Sequence, residues 1–170
     1  MTRLPRLLAV ITAIALWSGA VDADPGLTTG PADRVLVVKS ERKLYLLRDG
    51  EVLKDYWIAL GTNPVGPKER QGDRRTPEGT YVIDWRTEDT PFHRWLNISY
   101  PSAEDRARAA ALGVEPGGKI AIHGIPLGWE PTGPGQPMID WTNGCIALTN
   151  YDLDEVWANV ANGTVVEIRP

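Results

Sequence analysis

The sequence contains one cysteine and two histidines. One of these histidines could act as the base for the cysteine as a nucleophile. Cys145 and His123 each stand at an end of a predicted strand, next to a glycine. A cysteine thiol becomes a nucleophile when an imidazole removes its proton and a third group orients that imidazole. The pair therefore indicates nucleophilic acyl transfer. The alternative is a small core residue, because a free cysteine is usually buried and inert.

A tight turn is predicted directly before the cysteine. Asn143-Gly144 favours a turn, because both residues tolerate positive φ, and the run Ile146–Thr149 that follows has the composition of a strand. Cys145 is thus expected where a turn enters a strand, with backbone N–H groups close to its sulfur. This arrangement suits a thiolate nucleophile whose acyl product needs an oxyanion hole.

The first 23 residues have the pattern of a secretory signal peptide. They combine two arginines, an apolar run too short to span a bilayer and small residues before Asp24. We therefore expect export to the periplasm and no transmembrane segment after cleavage. An exported chain with one cysteine cannot form an internal disulfide, so Cys145 is either buried and inert or kept free for use.

Length and charge narrow the class of protein further. A chain of 170 residues fits one domain, and we divide it into the signal peptide 1–23, a flexible lead-in 24–33 and a folded domain 34–170. The net charge of −4 becomes −5 when the leader is removed, which argues against nucleic acid or an anionic membrane as the main partner. One cysteine and two separated histidines do not make a zinc site.

The pattern of apolar residues predicts a mainly β domain with about two helices. Ser102 and Asp105 form a capping box before one helix. The core-facing stripe of the other helix comprises Leu153, Val156, Trp157 and Val160. The predicted strands are 34–39, 43–48, 51–60, 80–85, 95–100, 119–124, 146–149 and 164–168, and the predicted helices are 102–112 and 151–160.

Two long loops interrupt this pattern, at 61–79 and at 125–137, the second with Trp129 near its centre. Loops of this length are usually functional or disordered. The first contains a basic cluster that suits a substrate with a carboxylate, although a solvated surface loop explains the same charges. The cluster comprises Lys68, Arg70, Arg74 and Arg75. His93 lies on a turn without a partner motif and is expected to be a polar surface residue.

The order His123-Gly124, a loop and then Thr142-x-Gly144-Cys145 resembles the active-site motif of the L,D-transpeptidase catalytic domain, the YkuD family. That motif has a His, an intervening segment and then Ser/Thr-His-Gly-Cys. The segments 43–46, 61–68 and 72–81 also resemble this family, so that the likeness extends in order from Val35 to Ile168.

The resemblance implies a mechanism for the pair. Cys145 attacks an L,D-linked carbonyl in a peptidoglycan stem tetrapeptide, and His123 takes the thiol proton. The Gly124 carbonyl orients the imidazole, and backbone N–H groups at Asn143, Gly144 and Cys145 form the oxyanion hole. An amine of a second stem, or of an anchored outer-membrane lipoprotein, resolves the thioester, and no cofactor or metal is needed. Thr142, Trp129 and Trp141 are the candidate substrate-binding residues.

The chain departs from the family pattern at three points. Asn143 stands where the family has a His, Ala147 stands where a basic residue or Asn is frequent, and the segment between His123 and Thr142 is a few residues longer. Losing side-chain donors beside the cysteine favours water as acceptor, which would make the protein an L,D-carboxypeptidase or a hydrolase of protein–peptidoglycan links.

We therefore expect an L,D-transpeptidase-type β-sandwich with mixed sheets and two helices, acting as a monomer. A catalytically silent cell-wall binding module is a second alternative, although such a module has no need of an oxidisable thiol. A structural β domain with a buried cysteine is a third.

Overall fold

The computed structural model describes residues 31–129 and 139–170. The predicted signal peptide and most of the lead-in lie outside these residues. In the described part of the chain, neither helix is long and apolar enough to cross a membrane. The elements are β1 (Arg34–Val38), β2 (Lys43–Arg48), β3 (Glu51–Trp57), β4 (Gly79–Thr87), β5 (Trp95–Ile98), α1 (Ala103–Ala111), β6 (Ala121–His123), β7 (Ile146–Ala147), α2 (Asn150–Asn159) and β8 (Val165–Arg169).

The strands form one mixed sheet in the order β3-β2-β1-β8-β4-β5-β6-β7. Strands β1 to β3 form the predicted antiparallel meander, and β8 pairs with β1 in parallel. Strand β4 joins the two halves, since Gly79–Val82 pairs with β8 and Ile83–Thr87 pairs with β5, with a register shift after Ile83. The predicted mainly β fold with mixed pairing and two helices is confirmed.

The segment after β3 connects the two ends of this strand order. Ala59 forms a bridge with Ala147 of β7, with mutual backbone hydrogen bonds of 2.8 and 2.9 Å. Gly61 forms a second bridge, to Thr142. The third strand was predicted to extend over 51–60, but it ends at Trp57. From Ala59 onward the chain pairs with the segment around Cys145 instead of with β2.

Other strands are shorter than predicted for local reasons. Lys119 has a φ of 55°, which is incompatible with a strand, so β6 begins only at Ala121. Thr149 is the N-cap of α2 and accepts a hydrogen bond from the Asp152 N–H at 3.1 Å, so β7 ends at Ala147. The predicted capping box of α1 is present, with reciprocal Ser102–Asp105 hydrogen bonds.

The core lies between the sheet and α2. Leu153, Val156 and Val160 are buried as predicted, whereas Trp157 is only partly buried and packs beneath the guanidinium of Arg86, 3.8 Å from the ring centroid. The apolar residues Ile122 and Ile146, neighbours in register on β6 and β7, are fully buried in the same core. Strand β6 ends at His123 and β7 begins directly after Cys145, so the core fixes the relative position of these two segments.

Candidate active site

Strands β6 and β7 place His123 and Cys145 on neighbouring segments of the sheet. The strands are parallel, with Ile122 opposite Ile146 and His123 opposite Ala147. Cys145 directly precedes β7, two residues before the partner of His123. Because side chains alternate along a strand, this spacing directs the two side chains to the same face, with roughly 7 Å between the two levels along the strand.

The Cys145 thiol is partly buried against the start of β6. Its Sγ donates a hydrogen bond to the Lys119 carbonyl at 3.6 Å. Burial raises the pKa of the thiol to about 11, and the backbone N–H of Ala121 and the charge of Lys68 offset only part of this effect. The resting residue is therefore a neutral thiol rather than a thiolate.

The imidazole of His123 is fixed in one tautomer. Nδ1 lies 2.7 Å from the Gly124 carbonyl oxygen, which can only accept, so Nδ1 carries the proton and Nε2 is free to act as a base. His123 is 2% exposed, and burial lowers its pKa to about 4 despite the opposing effect of this hydrogen bond. The imidazole is thus neutral at physiological pH.

Three aromatic rings surround this imidazole. Trp95 stacks on it with an interplanar angle of 5° and 5.4 Å between centroids, Phe92 lies at 4.3 Å, and Trp141 meets it edge-on at 5.6 Å. Trp141, a candidate substrate-binding residue, therefore packs against the imidazole. Phe92 and Trp95 were not predicted, because neither is close to His123 in sequence and only the β5–β6 pairing brings Trp95 beside it.

Gly124 is held where its carbonyl can orient His123. A side chain at this position would collide with its surroundings, since a Cβ would lie 2.5 Å from Asn150 Oδ1 and 2.8 Å from His93 Cβ. The same Asn150 oxygen accepts the Ile125 N–H at 2.8 Å. His93 lies near this backbone and its Nε2 contacts Asp154 at 2.6 Å, so it has a structural partner that the sequence did not indicate.

Thr142 organises the turn that precedes the thiol. Its hydroxyl donates to the Cys145 carbonyl at 2.7 Å and accepts from the Gly144 N–H at 3.1 Å. Its backbone pairs with Leu60 and Thr62. The buried Thr142 side chain therefore holds the turn. Because the Gly144 N–H is used within the turn, it is not free to act as one of the three predicted oxyanion donors.

Asp140 anchors the beginning of the same segment. Its carboxylate accepts from Arg42 Nε and Nη2 at 3.1 and 2.8 Å, and from the Leu60 N–H at 2.9 Å. Asp140 was not singled out from the sequence, where an aspartate before a tryptophan has no special pattern.

The candidate residues do not all meet. Among the described residues no hydrogen bond joins Cys145 Sγ to the His123 imidazole, because the thiol donates to Lys119 instead. Trp129 is 76% exposed, and none of its described contacts involves the pair. In the described ranges, 31–129 and 139–170, no three His, Cys, Asp or Glu side chains cluster as metal ligands.

A cavity of about 850 Å³ opens beside the thiol. One wall is the 68–74 part of the first long loop, and the other is the 115–120 segment before β6; Asn143 and Cys145 complete the lining. The Gln71 N–H donates to the Glu115 carbonyl at 2.8 Å and ties the two walls together. The first long loop, for which the sequence left both a functional role and a solvated surface role open, is thus adjacent to the cysteine.

Asp73 holds the first wall in shape. Its carboxylate pairs with Lys68 Nζ at 2.7 Å and accepts the backbone N–H groups of Glu69, Arg70 and Arg75 at 2.8 to 3.1 Å. Burial by itself would raise the pKa of Asp73, but these donors lower it overall. The predicted basic cluster is therefore divided, with Lys68 neutralised by Asp73 while Arg74 lines the cavity.

Comparison with known proteins agrees with this geometry. The model of the YkuD family, described as the L,D-transpeptidase catalytic domain, matches residues 32–168. YafK of Escherichia coli (strain K12), whose name assigns it to the L,D-transpeptidases, is 32% identical over 137 residues, covering 77% of this chain and 48% of YafK. The chain thus spans about half the length of the curated relatives it matches.

Solved structures show the same fold. The helical cell shape determining protein Pgp2 of Campylobacter jejuni, as its K307A mutant, superposes with a TM-score of 0.58 and 27% identity, over 79% of this chain and 46% of Pgp2. The L,D-transpeptidase of Stackebrandtia nassauensis superposes with a TM-score of 0.53 at 15% identity, over 90% of this chain and 63% of that one. The chain belongs to the YkuD family of L,D-transpeptidase catalytic domains.

Proposed function

We propose that this domain is an exported cysteine peptidyltransferase that acts on peptidoglycan stem peptides through a thioester at Cys145. The observation that carries the proposal is the hydrogen bond from His123 Nδ1 to the Gly124 carbonyl. This bond leaves Nε2 as the acceptor of a proton, on the strand next to the thiol and on the same face.

Protonation states support a coupled first step. Both groups are neutral at rest, because burial raises the pKa of Cys145 and lowers the pKa of His123. The thiol leaves Lys119 and passes its proton to Nε2 as sulfur attacks the carbonyl carbon. The N–H groups of Asn143 and Cys145 stabilise the oxyanion. When the tetrahedral species collapses, the C–N bond breaks and the imidazolium returns the proton to the departing amine.

The second step regenerates the thiol. An amine of another stem peptide gives a proton to His123 and attacks the thioester carbonyl. The new amide bond forms, the C–S bond breaks, and the imidazolium returns the proton to the Cys145 sulfur. A lipoprotein anchored in the outer membrane is the alternative donor of this amine. We place the reaction in the periplasm, after removal of residues 1–23, and propose a monomer.

Water is the competing acceptor, and one observation favours it. The methyl group of Ala147 is fully buried and its backbone pairs with Ala59, so this position offers no side-chain donor to an incoming amine. With water the same thioester gives a free acid, and the protein is an L,D-carboxypeptidase or a hydrolase of protein–peptidoglycan links.

Product analysis with a disaccharide-tetrapeptide separates these outcomes. Transfer predicts a cross-linked dimer with release of D-alanine, whereas hydrolysis predicts D-alanine and tripeptide without dimer. Neither the cross-linked dimer nor the tripeptide, and no free D-alanine, should form with Cys145→Ala or with His123→Gln. Unchanged substrate with the wild-type protein, despite measurable binding, would instead support a catalytically silent cell-wall binding module.

A further inference from the structure

The face of the sheet that bears His123 also bears two residues of β5 that the proposed reaction does not use. Trp95 lies opposite His123 in the antiparallel β5–β6 pair, and Asn97 lies opposite Ala121. Because residues two apart on a strand point to the same face, both side chains lie on the face of the imidazole. Asn97 is only 7% exposed, so its amide needs hydrogen-bond partners within the protein.

The partners of Asn97 fix its amide in one orientation. Nδ2 donates to Asp84 Oδ1 at 2.8 Å and to the Ile98 carbonyl at 3.0 Å, so both of its N–H groups are used. The Oδ1 atom therefore faces the indole of Trp95 and accepts its Nε1–H at 3.3 Å. These bonds form a continuous path from a carboxylate through an amide to the indole.

A β-bulge supplies the carboxylate of this path. Three residues of β4, from Ile83 to Trp85, span only two residues of β5, so Asp84 has no opposite residue in the register. Bulges are frequent next to active sites, where they re-aim a side chain. This bulge brings the Asp84 carboxylate within hydrogen-bond distance of the neighbouring strand.

The imidazole of His123 needs such support, because rotation about its Cβ–Cγ bond meets only a broad energy well. The hydrogen bond to the Gly124 carbonyl decides which edge of the ring faces the backbone. Of the three rings around it, Trp95 is the parallel one, at 5°, whereas Phe92 and Trp141 are inclined by 40° and 72°. Offset stacking at this spacing is favourable and is lost when the imidazole turns out of the shared plane.

We propose that Trp95 is a positioning residue for His123 and that Asn97 holds the indole in the orientation that it imposes on the imidazole. The carboxylate of Asp84 acts one step further away, by fixing the amide of Asn97. The stacked indole keeps Nε2 in the plane from which it takes the thiol proton of Cys145, and it covers the base against water. The inference rests on the proposed function and adds residues that act through the imidazole rather than on substrate.

The first test is the titration of the imidazole, followed by NMR in protein labelled at histidine. Trp95→Leu opens the ring to water, and burial is what lowers its pKa, so we expect the pKa of His123 to rise from about 4 toward 6.5. The chain has only one other histidine, His93, whose signal is the internal reference and should behave identically in wild type and variant.

The second test is the rate at which a carbapenem acylates Cys145, measured as a function of pH. In Trp95→Leu this rate should fall about tenfold at pH 7, because the base is no longer held in place. The decline of the rate at low pH should also move upward together with the pKa of His123. A loss of folded protein alone would lower the rate equally at every pH and would leave that decline where it is.

Trp57→Leu is the matched control, since Trp57 is a partly buried tryptophan of β3 whose ring contacts Lys43, with Nζ 3.8 Å from the centroid. It should change neither the titration nor the rate. Trp95→Phe keeps an aromatic ring on the imidazole and should restore most of both. Asp84→Ala changes an exposed position, so it tests the path without disturbing the core, and it should lower the rate about threefold.

The proposal is overturned if Trp95→Leu leaves the His123 titration unchanged, or if Trp57→Leu has the same effect on the rate. A wild-type rate in Asp84→Ala would overturn the part assigned to Asn97. If the carbapenem leaves the wild-type protein unmodified while the titration shifts in Trp95→Leu, the transferase proposal fails and the support of the imidazole by Trp95 stands.

Discussion

At the scale of single residues, burial sets the protonation states from which Cys145 and His123 would start the proposed reaction. The free protein does not contain a thiolate–imidazolium pair, because burial disfavours both charged forms. The proposed proton transfer therefore depends on geometry. His123 must come within hydrogen-bond distance of the Cys145 thiol when substrate occupies the cavity. A neutral thiol is also less readily oxidised than a thiolate, which suits the proposed export of a protein with a single free cysteine.

The rate of alkylation of Cys145 should report this state. With a pKa of about 11, the thiolate fraction rises tenfold for each pH unit, so we expect the iodoacetamide rate to climb from pH 7 to pH 10 without levelling. The urea-unfolded chain is the control and should level near pH 9, as an ordinary cysteine does. A plateau near neutrality in the folded protein would show a low-pKa thiolate and contradict the neutral pair.

Folding stability should depend on the protonation of His123. Between the ordinary pKa of 6.5 and the folded value of about 4, the unfolded chain binds a proton that the folded chain does not. The contribution is therefore complete above pH 6.5 and is lost as the pH falls toward 4. Relative to His123→Gln, the wild-type free energy of unfolding should fall by roughly 2 kcal/mol from pH 7 to pH 4.5. Urea denaturation measures it, and parallel pH profiles would refute the buried neutral imidazole.

The sequence was sufficient to propose His123 and Cys145 as a candidate pair, but it did not predict their surroundings. His123 and Cys145 were recognisable from their neighbours in the chain, namely glycines, a turn and short strand patterns. The stacking of Trp95, the packing of Phe92 and the anchoring by Asp140 depend on pairings between distant segments, for which no local pattern exists.

At the scale of elements, a loop and a turn position the chemistry more than the strands do. The loop 61–79 contains no helix, and only its last residue lies in a strand, yet buried charges hold it in place. Lys39, 2% exposed at the end of β1, donates to the carbonyls of Gly66 and Thr76 at 2.7 and 3.0 Å. Asp73 organises the other part. A long loop was predictable from its composition, whereas its ordered interior was not, because the partners of Lys39 are distant in sequence.

Asp73→Asn should destabilise the protein by about 3 kcal/mol, because it leaves the charge of Lys68 buried without its partner. Asp55→Asn is the matched control: it removes the partner of Lys43 in a more exposed ion pair and should cost less than about 1 kcal/mol. Chemical denaturation of the three proteins gives both values. Similar losses in the two variants would show that Asp73 does not hold the loop.

The turn before Cys145 depends on Gly144. Its φ is 128°, and a Cβ there would lie 2.6 Å from the Arg75 carbonyl, which is backbone and cannot move aside easily. We expect Gly144→Ala to abolish turnover and to lower stability by at least about 1 kcal/mol. Gly118→Ala is the control. Gly118 lies in the 115–120 segment that lines the cavity, and its Cβ position is in open space, so this variant should leave the fold intact. An active Gly144→Ala protein would be inconsistent with this turn as the oxyanion site.

At the scale of the whole molecule, isolated bridges bring two segments that are distant in sequence to one site. The Ala59–Ala147 and Gly61–Thr142 bridges connect the segment after β3 to the segment around Cys145. The family was predictable from the motif around His123 and Cys145, and the mainly β architecture was predictable from the apolar pattern of the strands. These bridges were not, because isolated pairs of residues leave no periodic pattern. They nevertheless place the basic loop beside the thiol.

The measurement that tests the central claim most directly is the intact mass of the protein after incubation with a carbapenem, whose strained lactam acylates a competent thiol. We predict one adduct per chain in the wild-type protein, none in Cys145→Ala and slowed formation in His123→Gln. Arg70→Gln serves as a variant outside the cavity and should react like the wild type. An unmodified wild-type protein, or an adduct that persists in Cys145→Ala, would contradict a nucleophilic Cys145 activated by His123.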